Sequence, residues 1–204
     1  SETLLVVGTL AANESAEIRP EVNGLVRLIA FEEGARVSKG DLLAKIDDSE
    51  LRAQLAQAEA RFQLAEVNIG RTQSLSESNS ISRSELDRVR TEFATARAEL
   101  ALLRLRVEKT ELRAPFDGVV GSRTLSAGDY VNTQSVLTVI HDLSRLKIDF
   151  QVPERFISKV APGTRFGVRS KALAAGERVE GEVYFVSSVI DRQTRSSEVK
   201  GLLE

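Results

Sequence analysis

Few residues of this chain could carry chemistry. The 204 residues include no Cys and a single His, His141, so thiolate metal sites, Cys nucleophiles and disulfides are excluded. A lone His after a predicted strand is expected to be structural, because a metal site needs several converging ligands. Asp47, Asp48 and Asp117 stand at turn or helix-cap positions, where carboxylates are common. We find no nucleophile–base arrangement and no phosphate-binding glycine loop, so the sequence predicts no catalytic, cofactor-binding or metal-binding residues and no enzyme.

The composition also limits the classes of partner. A net charge of −2 gives no electrostatic reason to bind nucleic acid. Hydrophobic residues make up 42% of the chain, which is enough for packed cores. The sequence contains no run of about 18 apolar residues, so it predicts no membrane-spanning helix.

Two segments of the chain resemble each other at a constant offset of 94 residues. Residues 18–46 can be laid over residues 112–140 so that apolar residues and glycines coincide. The coinciding pairs are Ile18 with Leu112, Arg19 with Arg113, Gly24 with Gly118, Gly34 with Gly128, Val37 with Val131, Leu43 with Leu137 and Ile46 with Ile140. Short apolar runs between glycine turns indicate strands, and their repetition predicts two halves that pair into one β-sandwich. The alternative is two unrelated β segments that share turn chemistry.

The residues between these two segments have a helical period. Apolar residues recur in steps of three and four along two runs, which the polar stretch 76–80 separates. We call these residues the seam: Leu51, Leu55, Ala58, Phe62, Ala65 and Ile69 in the first run, and Leu86, Val89, Phe93, Ala96, Leu100, Leu103 and Val107 in the second. Such heptad spacing predicts an antiparallel coiled-coil hairpin about 35–40 Å long, with Asp47 and Glu50 as a capping box at its start.

The last third of the chain has the pattern of a small β-barrel. Apolar and polar residues alternate from 146 to 152, as in a half-buried strand, and Pro153 ends the pattern. A short helix is predicted within 154–160, and further strands at 166–168, 179–189 and 197–203. The β-branched stretch 3–10 lies outside the repeat and is predicted to be a strand of the same barrel.

Six segments of the sequence together indicate a known family. They are EVNGLVRLIAFEEGARVSKGDLLAKID, LRAPFDGVVGSRTLSAGDYVNTQSVLTVI, LSRLKIDFQVPE, PGTRFGV, GEVYFVSSVID and TRSSEVK. Through them the chain resembles the periplasmic adaptors, or membrane fusion proteins, of tripartite efflux pumps, the HlyD/AcrA-like family. The resemblance implies an α+β, mostly β fold: a split lipoyl-like β-sandwich interrupted by the hairpin, and an antiparallel β-barrel incomplete at its C-terminus. The implied units are 1–14 (first barrel strand), 15–47 and 111–141 (lipoyl-like halves), 48–110 (hairpin) and 142–204 (barrel).

The family carries a short pattern at the hairpin tip, Arg-x3-Leu-x6-Ser, which is associated with docking to a TolC-like outer-membrane channel. Arg71, Leu75 and Ser82 match its spacing. Arg71 and Leu75 lie one residue before continued seam positions, about 100° around the helix, so Leu75 is expected to be exposed and apolar. The alternative is a fraying helix end with no role. Ser82 with Glu85 also has capping-box spacing, so Ser82 could be a cap, a contact or both.

The resemblance implies a non-enzymatic adaptor that links an inner-membrane efflux transporter to the outer-membrane channel. We expect a resistance-nodulation-division (RND) transporter as partner, with an ABC-type exporter or type I secretion system as the alternative. Self-association, as a hexamer, is expected in the periplasm, with anchoring to the inner membrane through a segment not present in this chain. Junctions near residues 13–17 and 141–146 are expected to let the units articulate.

A carrier module of a metabolic enzyme is the alternative of another class. Lipoyl and biotinyl domains attach their cofactor to a Lys at the tip that joins the two halves. In this chain the junction is Ile46-Asp47-Asp48-Ser49, and Lys45 precedes it inside the strand pattern. The carrier alternative is therefore disfavoured and no cofactor is expected.

Overall fold

The structure is a computed structural model that describes residues 4–77, 81–169 and 178–203. Its elements in chain order are β1 (Gly8–Ile18), β2 (Gly24–Ile29), β3 (Arg36–Val37), β4 (Leu42–Ile46), α1 (Ser49–Glu77), α2 (Arg83–Glu108), β5 (Glu111–Arg113), β6 (Gly118–Val120), β7 (Tyr130–Val131), β8 (Thr138–Pro153), α3 (Glu154–Ile157), β9 (Arg165–Val168), β10 (Val179–Asp191) and β11 (Ser196–Leu203). Two long helices thus interrupt a chain of strands between β4 and β5. The predicted class, mostly β with helices, is confirmed.

The offset of 94 residues also relates the backbone pairings of the two similar segments. Gly24 pairs with Val131; adding 94 to the first number and subtracting 94 from the second gives Gly118 with Val37, which pair as well. Leu25–Tyr130 is related in the same way to Val119–Arg36, and Ala44–Leu112 to Thr138–Ile18. Within the halves, adding 94 to both numbers of Val26–Ile46 gives Val120–Ile140, which also pair. An approximate two-fold rotation therefore relates the two halves. Each half completes the other's sheet, so the two halves form one unit. We call this unit, residues 15–47 and 111–141, the barrel-sandwich.

The core of this unit takes its residues from both halves. Its buried members are Ile18, Val26, Leu43, Ala44, Ile46, Leu112, Ala114, Val120, Val131, Leu137 and Ile140. Two glycines let the strands approach this core closely. A Cβ on Gly24 would lie 2.6 Å from Cγ2 of Ile46, and a Cβ on Gly118 would lie 2.8 Å from Cγ2 of Ile140. Because these contacts are related by the repeat, glycine is needed at both positions for the same steric reason.

The helices α1 and α2 run antiparallel and contact each other through the seam. Every seam residue is buried or half-buried. The rings of Phe62 and Phe93 stack with their centroids 5.4 Å apart. Arg61 pairs with Glu99 across the helices at 3.1 Å. The 29 residues of α1 span about 43 Å, longer than predicted, because the helix continues through Glu77 into the segment expected to be a turn. The rest of that segment, residues 78–80, lies outside the described residues.

The strand β8 connects the barrel-sandwich to the remaining strands. Its first part pairs with β6 and with the end of β1, and its second part pairs with β11 and with the start of β1. Next to β8 in the sheet lie β11, β10 and β9, in that order, and this part of the sheet packs around Val152, Val183 and Val199. Both β1 and β8 run without a chain break through the boundaries predicted at 14/15 and 141/142.

The prediction of a strand at residues 3–10 is wrong in its limits. The strand β1 begins at Gly8 and extends to Ile18, and residues 4–7 have no regular secondary structure. The apolar, β-branched composition of this stretch favours a strand, but a strand also needs a partner. The partner strand β8 ends at Pro153, three residues beyond the Phe150 that pairs with Gly8. The ladder with β1 stops at Gly8, and Pro153, which has no N–H to donate, ends β8 shortly beyond it.

Candidate functional site

The outer end of the helical pair presents the residues that the sequence singled out for docking. Arg71 is exposed on α1, and Leu75, one turn further along, has 44% of its surface exposed. The last seam residue of α1, Ile69, is buried against α2. The geometry therefore agrees with the expectation that Leu75 lies beside the seam rather than in it. A cation and an apolar side chain occupy the exposed surface one helical turn apart.

Ser82 forms the N-cap of α2. Its backbone is extended (φ −76°, ψ 153°), and its Oγ accepts a hydrogen bond from the Glu85 N–H at 3.2 Å. The carboxylate of Glu85 pairs instead with Arg88, with 2.6 Å between Oε1 and the nearer guanidinium nitrogen. Half of the predicted capping box is thus present. The Ser82 side chain accepts from the Glu85 N–H, but the Glu85 side chain pairs with Arg88 in the following turn. This role fixes where α2 begins.

We expect Ser82→Ala to lower the free energy of unfolding of the hairpin by about 1 kcal/mol, because one orphan N–H of the first turn loses its acceptor. Thermal denaturation followed by far-UV circular dichroism measures this change. Ser82→Asp is the matched control, since Asp is an equally good cap and should restore stability. Equal melting of Ser82→Ala and wild type would show that the cap contributes nothing.

The root of the helical pair is held by a buried carboxylate, Asp48, only 5% exposed. Its Oδ2 lies 2.6 Å from Nε of Arg52 and 3.2 Å from Nζ of Lys45. Lys45 also pairs with Glu111 at 3.6 Å. The network joins the end of β4, the first turn of α1 and the start of β5. It therefore fixes the direction in which the helices leave the barrel-sandwich.

The capping box predicted for Asp47 and Glu50 is wrong. The carbonyl of Asp48 accepts the first helical hydrogen bond, from the N–H of Arg52 at 2.8 Å, so the helix begins one residue later than the box requires. Asp47 accepts instead from the N–H of Ser49 at 3.0 Å. The side chain of Glu50 accepts from Gln54. The residue at the helix start is therefore Asp48, whose carboxylate pairs with Lys45 and Arg52.

The stability of the protein should fall on acidification through Asp48. Burial raises the pKa of Asp48, but hydrogen bonds and charge from Arg52 and Lys45 lower it more, so the net pKa lies below its ordinary value. The carboxylate therefore stabilises the fold above about pH 4, the unfolded value, and this contribution is lost as pH falls through the lower folded pKa. Denaturant titrations between about pH 6 and pH 3 measure it, and Asp48→Asn should flatten that part of the profile. An unchanged profile in Asp48→Asn would contradict the assignment.

Lys45 is the lysine nearest to the position where a carrier domain holds its cofactor. The structure places its Nζ between two carboxylates at a half-buried site, in β4 rather than in an exposed turn. The ion pairs with Asp48 and Glu111 hold the Lys45 side chain in place. Its setting is that of a structural residue.

The other residues with reactive groups also have structural partners. Nδ1 of His141 lies 2.9 Å from Oγ of Ser15, across the β1–β8 ladder. Oδ1 of Asp117 accepts from the N–H of Lys39 at 2.6 Å, joining two turns. Within residues 4–77, 81–169 and 178–203, no group of three or more His, Asp or Glu side chains could hold a metal ion. No helix in this described part of the chain is both long and apolar enough to cross a bilayer.

Sequence analysis missed two apolar surfaces on the helices. Each lies opposite the seam and consists of exposed residues. The outer face of α1 is Ala53, Ala56, Ala60, Leu64 and Val67, and the outer face of α2 is Ala94, Ala98, Leu102 and Leu105. Because the helices contact through the seam, these faces point in opposite directions. The signal was a second set of small and aliphatic residues, spaced by three and four, that the seam does not use.

Comparison with known proteins identifies the barrel-sandwich. Residues 14–142 match the family described as RND MFP, barrel-sandwich hybrid domain, where MFP stands for membrane fusion protein. The matched range contains both halves of the repeat and the two long helices between them. It covers more than half of the chain.

Relatives of the whole chain include a multidrug resistance protein. MdtA of Escherichia fergusonii is 29% identical in an alignment of 216 positions that covers 95% of this chain and 52% of the relative. An uncharacterised protein of Haemophilus influenzae is 26% identical over 197 residues, which cover 97% of this chain and 51% of the relative. The chain thus spans about half the length of these curated relatives.

Two solved structures share the fold. One is a MacA–MexA chimeric protein that contains the Pseudomonas aeruginosa MexA α-hairpin domain, with a TM-score of 0.86 and 21% identity over 98% of this chain and 75% of the other. The other is the membrane fusion protein Spr0693 from Streptococcus pneumoniae, with a TM-score of 0.78 and 18% identity over 98% of this chain and 90% of the other. At these identities the likeness concerns the fold alone.

Proposed function

The chain belongs to the family of RND membrane fusion proteins, and we propose that it is a non-enzymatic periplasmic adaptor between an inner-membrane efflux transporter and a TolC-like outer-membrane channel. The observation that carries the proposal is the insertion of a two-helix arm into the barrel-sandwich at the place where a carrier domain would present its lysine. Such an arm carries its tip about 43 Å from the root. An arm of this length can reach from the barrel-sandwich to the outer-membrane channel, whereas a compact domain cannot.

The tip of this arm is the proposed contact with the channel. Arg71 supplies an exposed cation that can pair with a carboxylate, and Leu75 supplies an exposed apolar side chain one turn away. Contacts of this kind combine an apolar anchor with a polar rim, as protein interfaces commonly do. Ser82 contributes mainly by fixing the start of α2, and its exposed position also leaves it within the proposed contact.

Site-specific crosslinking tests this proposal. A photoreactive amino acid at position 75 of the full-length protein should crosslink to an outer-membrane channel in cells. The same group at Leu28, which has a similar exposed fraction of 47% on β2, serves as the control and should give no channel adduct. Adducts of the channel at Leu28 and none at Leu75 would refute docking through the tip.

We propose that the two helices form an antiparallel coiled coil and that neighbouring copies pack through its outer faces. The outer faces of α1 and α2 are apolar and point in opposite directions. A copy placed beside another can therefore set its α1 face against the α2 face of its neighbour. Such a head-to-tail contact closes into a ring when the rotation between copies is a whole fraction of a turn, and six copies are the number we propose. Burial of exposed aliphatic side chains supplies the driving force.

We expect Leu64→Glu to abolish self-association of the full-length protein, because the charge would be buried against the neighbour's α2 face. Sedimentation velocity at several concentrations measures the distribution of oligomers. Leu28→Glu adds the same charge at an exposed site on β2 and should leave that distribution unchanged. A wild-type distribution for Leu64→Glu would exclude packing through this face.

We further propose an RND transporter as the inner-membrane partner and the periplasm, at the inner membrane, as the location. Membership of the RND membrane fusion protein family supports this over an ABC-type exporter. The proposed units are those of the sequence: residues 1–14 and 142–204 for the barrel, 15–47 and 111–141 for the barrel-sandwich, and 48–110 for the hairpin.

A further inference from the structure

The ladder between β1 and β8 contains a break in register where it leaves the barrel-sandwich. Glu14–Ile18 pair with Thr138–Asp142, and Gly8–Ala12 pair with Leu146–Phe150. Between these two stretches Asn13 faces residues 143–145, so one residue on β1 opposes three on β8. A bulge of this size interrupts the backbone hydrogen bonds that make a two-stranded ladder stiff. It is therefore the natural place for the ladder to bend.

Side-chain hydrogen bonds close this break. Nδ2 of Asn13 donates to Oδ2 of Asp142 at 2.7 Å, and Nζ of Lys147 donates to the Asn13 carbonyl. The other oxygen of Asp142 accepts from the N–H of Ser144 at 2.8 Å, inside the bulge. Asn13, Asp142 and Lys147 are all half-buried. Together they tie one side of the bulge to the other.

An ionised Asp142 is the form that best accepts the hydrogen bonds from Asn13 and Ser144. The hydrogen bond from Asn13, followed by those from Ser144, lowers the pKa of Asp142, and the charge of Lys147 lowers it further. The carboxylate is thus ionised at neutral pH, and hydrogen bonds to an ionised acceptor are stronger than neutral ones.

The repeat gives Asp142 an equivalent. Subtracting 94 from its number gives Asp48, the buried carboxylate at the root of the helices. Asp48 follows the last core residue of the first half, Ile46, by two positions, and Asp142 follows Ile140 in the same way. Each half of the barrel-sandwich therefore ends in an aspartate that binds the element attached to it. Asp48 holds the helical arm, and Asp142 holds the strands beyond the bulge.

We propose that Asn13, Asp142 and Lys147 form a latch that fixes the angle between the barrel-sandwich and the strands beyond the bulge, and that its opening lets the β1–β8 ladder bend at Asn13. The latch sets the direction of the barrel strands independently of the root that sets the direction of the arm. This inference does not rest on the proposed adaptor function, since it concerns the geometry of the chain itself.

Spin-label distances in the full chain test the latch. The sequence has no Cys, so labels attach only at introduced cysteines. Glu32→Cys with Glu180→Cys reports the angle between the barrel-sandwich and the barrel strands, and Glu32→Cys with Glu66→Cys reports the direction of the arm; all three sites are exposed. Pulsed electron paramagnetic resonance measures each distance distribution.

In Asn13→Ala we expect the population outside the wild-type 32–180 distance peak to rise about tenfold, because one hydrogen bond to a charged group is lost. The 32–66 distribution should stay unchanged. Lys147→Met keeps the length of the side chain and should widen the 32–180 distribution in the same direction, which gives a second test should Asn13→Ala not fold. Circular dichroism of each labelled variant verifies folding.

Two controls separate the latch from general loosening. Ser15→Ala removes the contact with His141 inside the paired part of the ladder and should leave both distributions unchanged. Asp48→Asn should widen the 32–66 distribution and leave the 32–180 distribution narrow. The proposal is overturned if folded Asn13→Ala and Lys147→Met keep the wild-type 32–180 distribution, or if they widen both distributions equally.

Discussion

Ile140→Ala is expected to lower the free energy of unfolding by about 3–4 kcal/mol, within the range measured when a fully buried Ile is truncated to Ala. Ile140 has no exposed surface, and β8 at this residue pairs with both β1 and β6. The cavity would open where the two halves of the repeat meet. Because the halves complete each other's sheets, neither can relax to fill it. Urea denaturation measures the change.

The repeat provides a matched comparison for this prediction. Ile46 occupies the equivalent position in the first half and is equally buried, so Ile46→Ala should cost a similar free energy. Leu28→Ala, at a side chain that is half exposed, should cost less than about 1 kcal/mol. A large difference between Ile46→Ala and Ile140→Ala would mean that the two halves do not share one core.

The combined change of Arg71→Glu and Leu75→Ser is expected to weaken binding of the outer-membrane channel by about 30-fold or more. Charge reversal turns a proposed attraction into repulsion, and Ser removes the apolar anchor. Loss of a central interface residue commonly costs about 2 kcal/mol, which corresponds to about 30-fold in affinity. Titration of the full-length protein against the purified channel in detergent measures the affinity.

Far-UV circular dichroism should show unchanged helicity in this double variant, since neither side chain lies in the seam. Leu28→Ser removes an equally exposed Leu from β2 and should bind the channel as wild type does. Wild-type affinity of the double variant, or wild-type drug resistance in cells that express it, would refute the proposal that the tip docks to the outer-membrane channel.

The features that the sequence predicted well follow from regular spacing of residue types. The seam follows from steps of three and four, because helix geometry alone puts such residues on one face. The repeat follows from apolar residues and glycines at one offset, and the related pairings of Gly24 and Gly118 have the same steric origin. The exposure of Leu75 follows from its angle to the seam. In each case a regular pattern in the sequence indicates where the side chains lie.

The predictions that failed depended on pairings that the pattern of residue types did not identify. Residues 4–7 have strand composition, but the ladder between β1 and β8 stops at Gly8, and β8 itself ends three residues beyond that pair. Asp47 has the spacing of a cap, but Asp48 has Lys45 and Arg52 as partners, and α1 starts after it. In both cases the residue pattern allowed more than one outcome, and the pairings in the folded chain decided between them.

By itself, the sequence determined the units of this protein: two similar β halves, a helical arm inserted between them and an exposed pair at the tip of the arm. Only the tertiary structure decided how these units are joined. The register of β1 against β8 placed Asn13 opposite residues 143–145, and Asp142 and Lys147 then closed the gap. The reason is physical. Side-chain direction within a helix or strand is set by local backbone geometry, whereas the register of β1 against β8 and the hydrogen bond from Asn13 to Asp142 join residues more than a hundred positions apart.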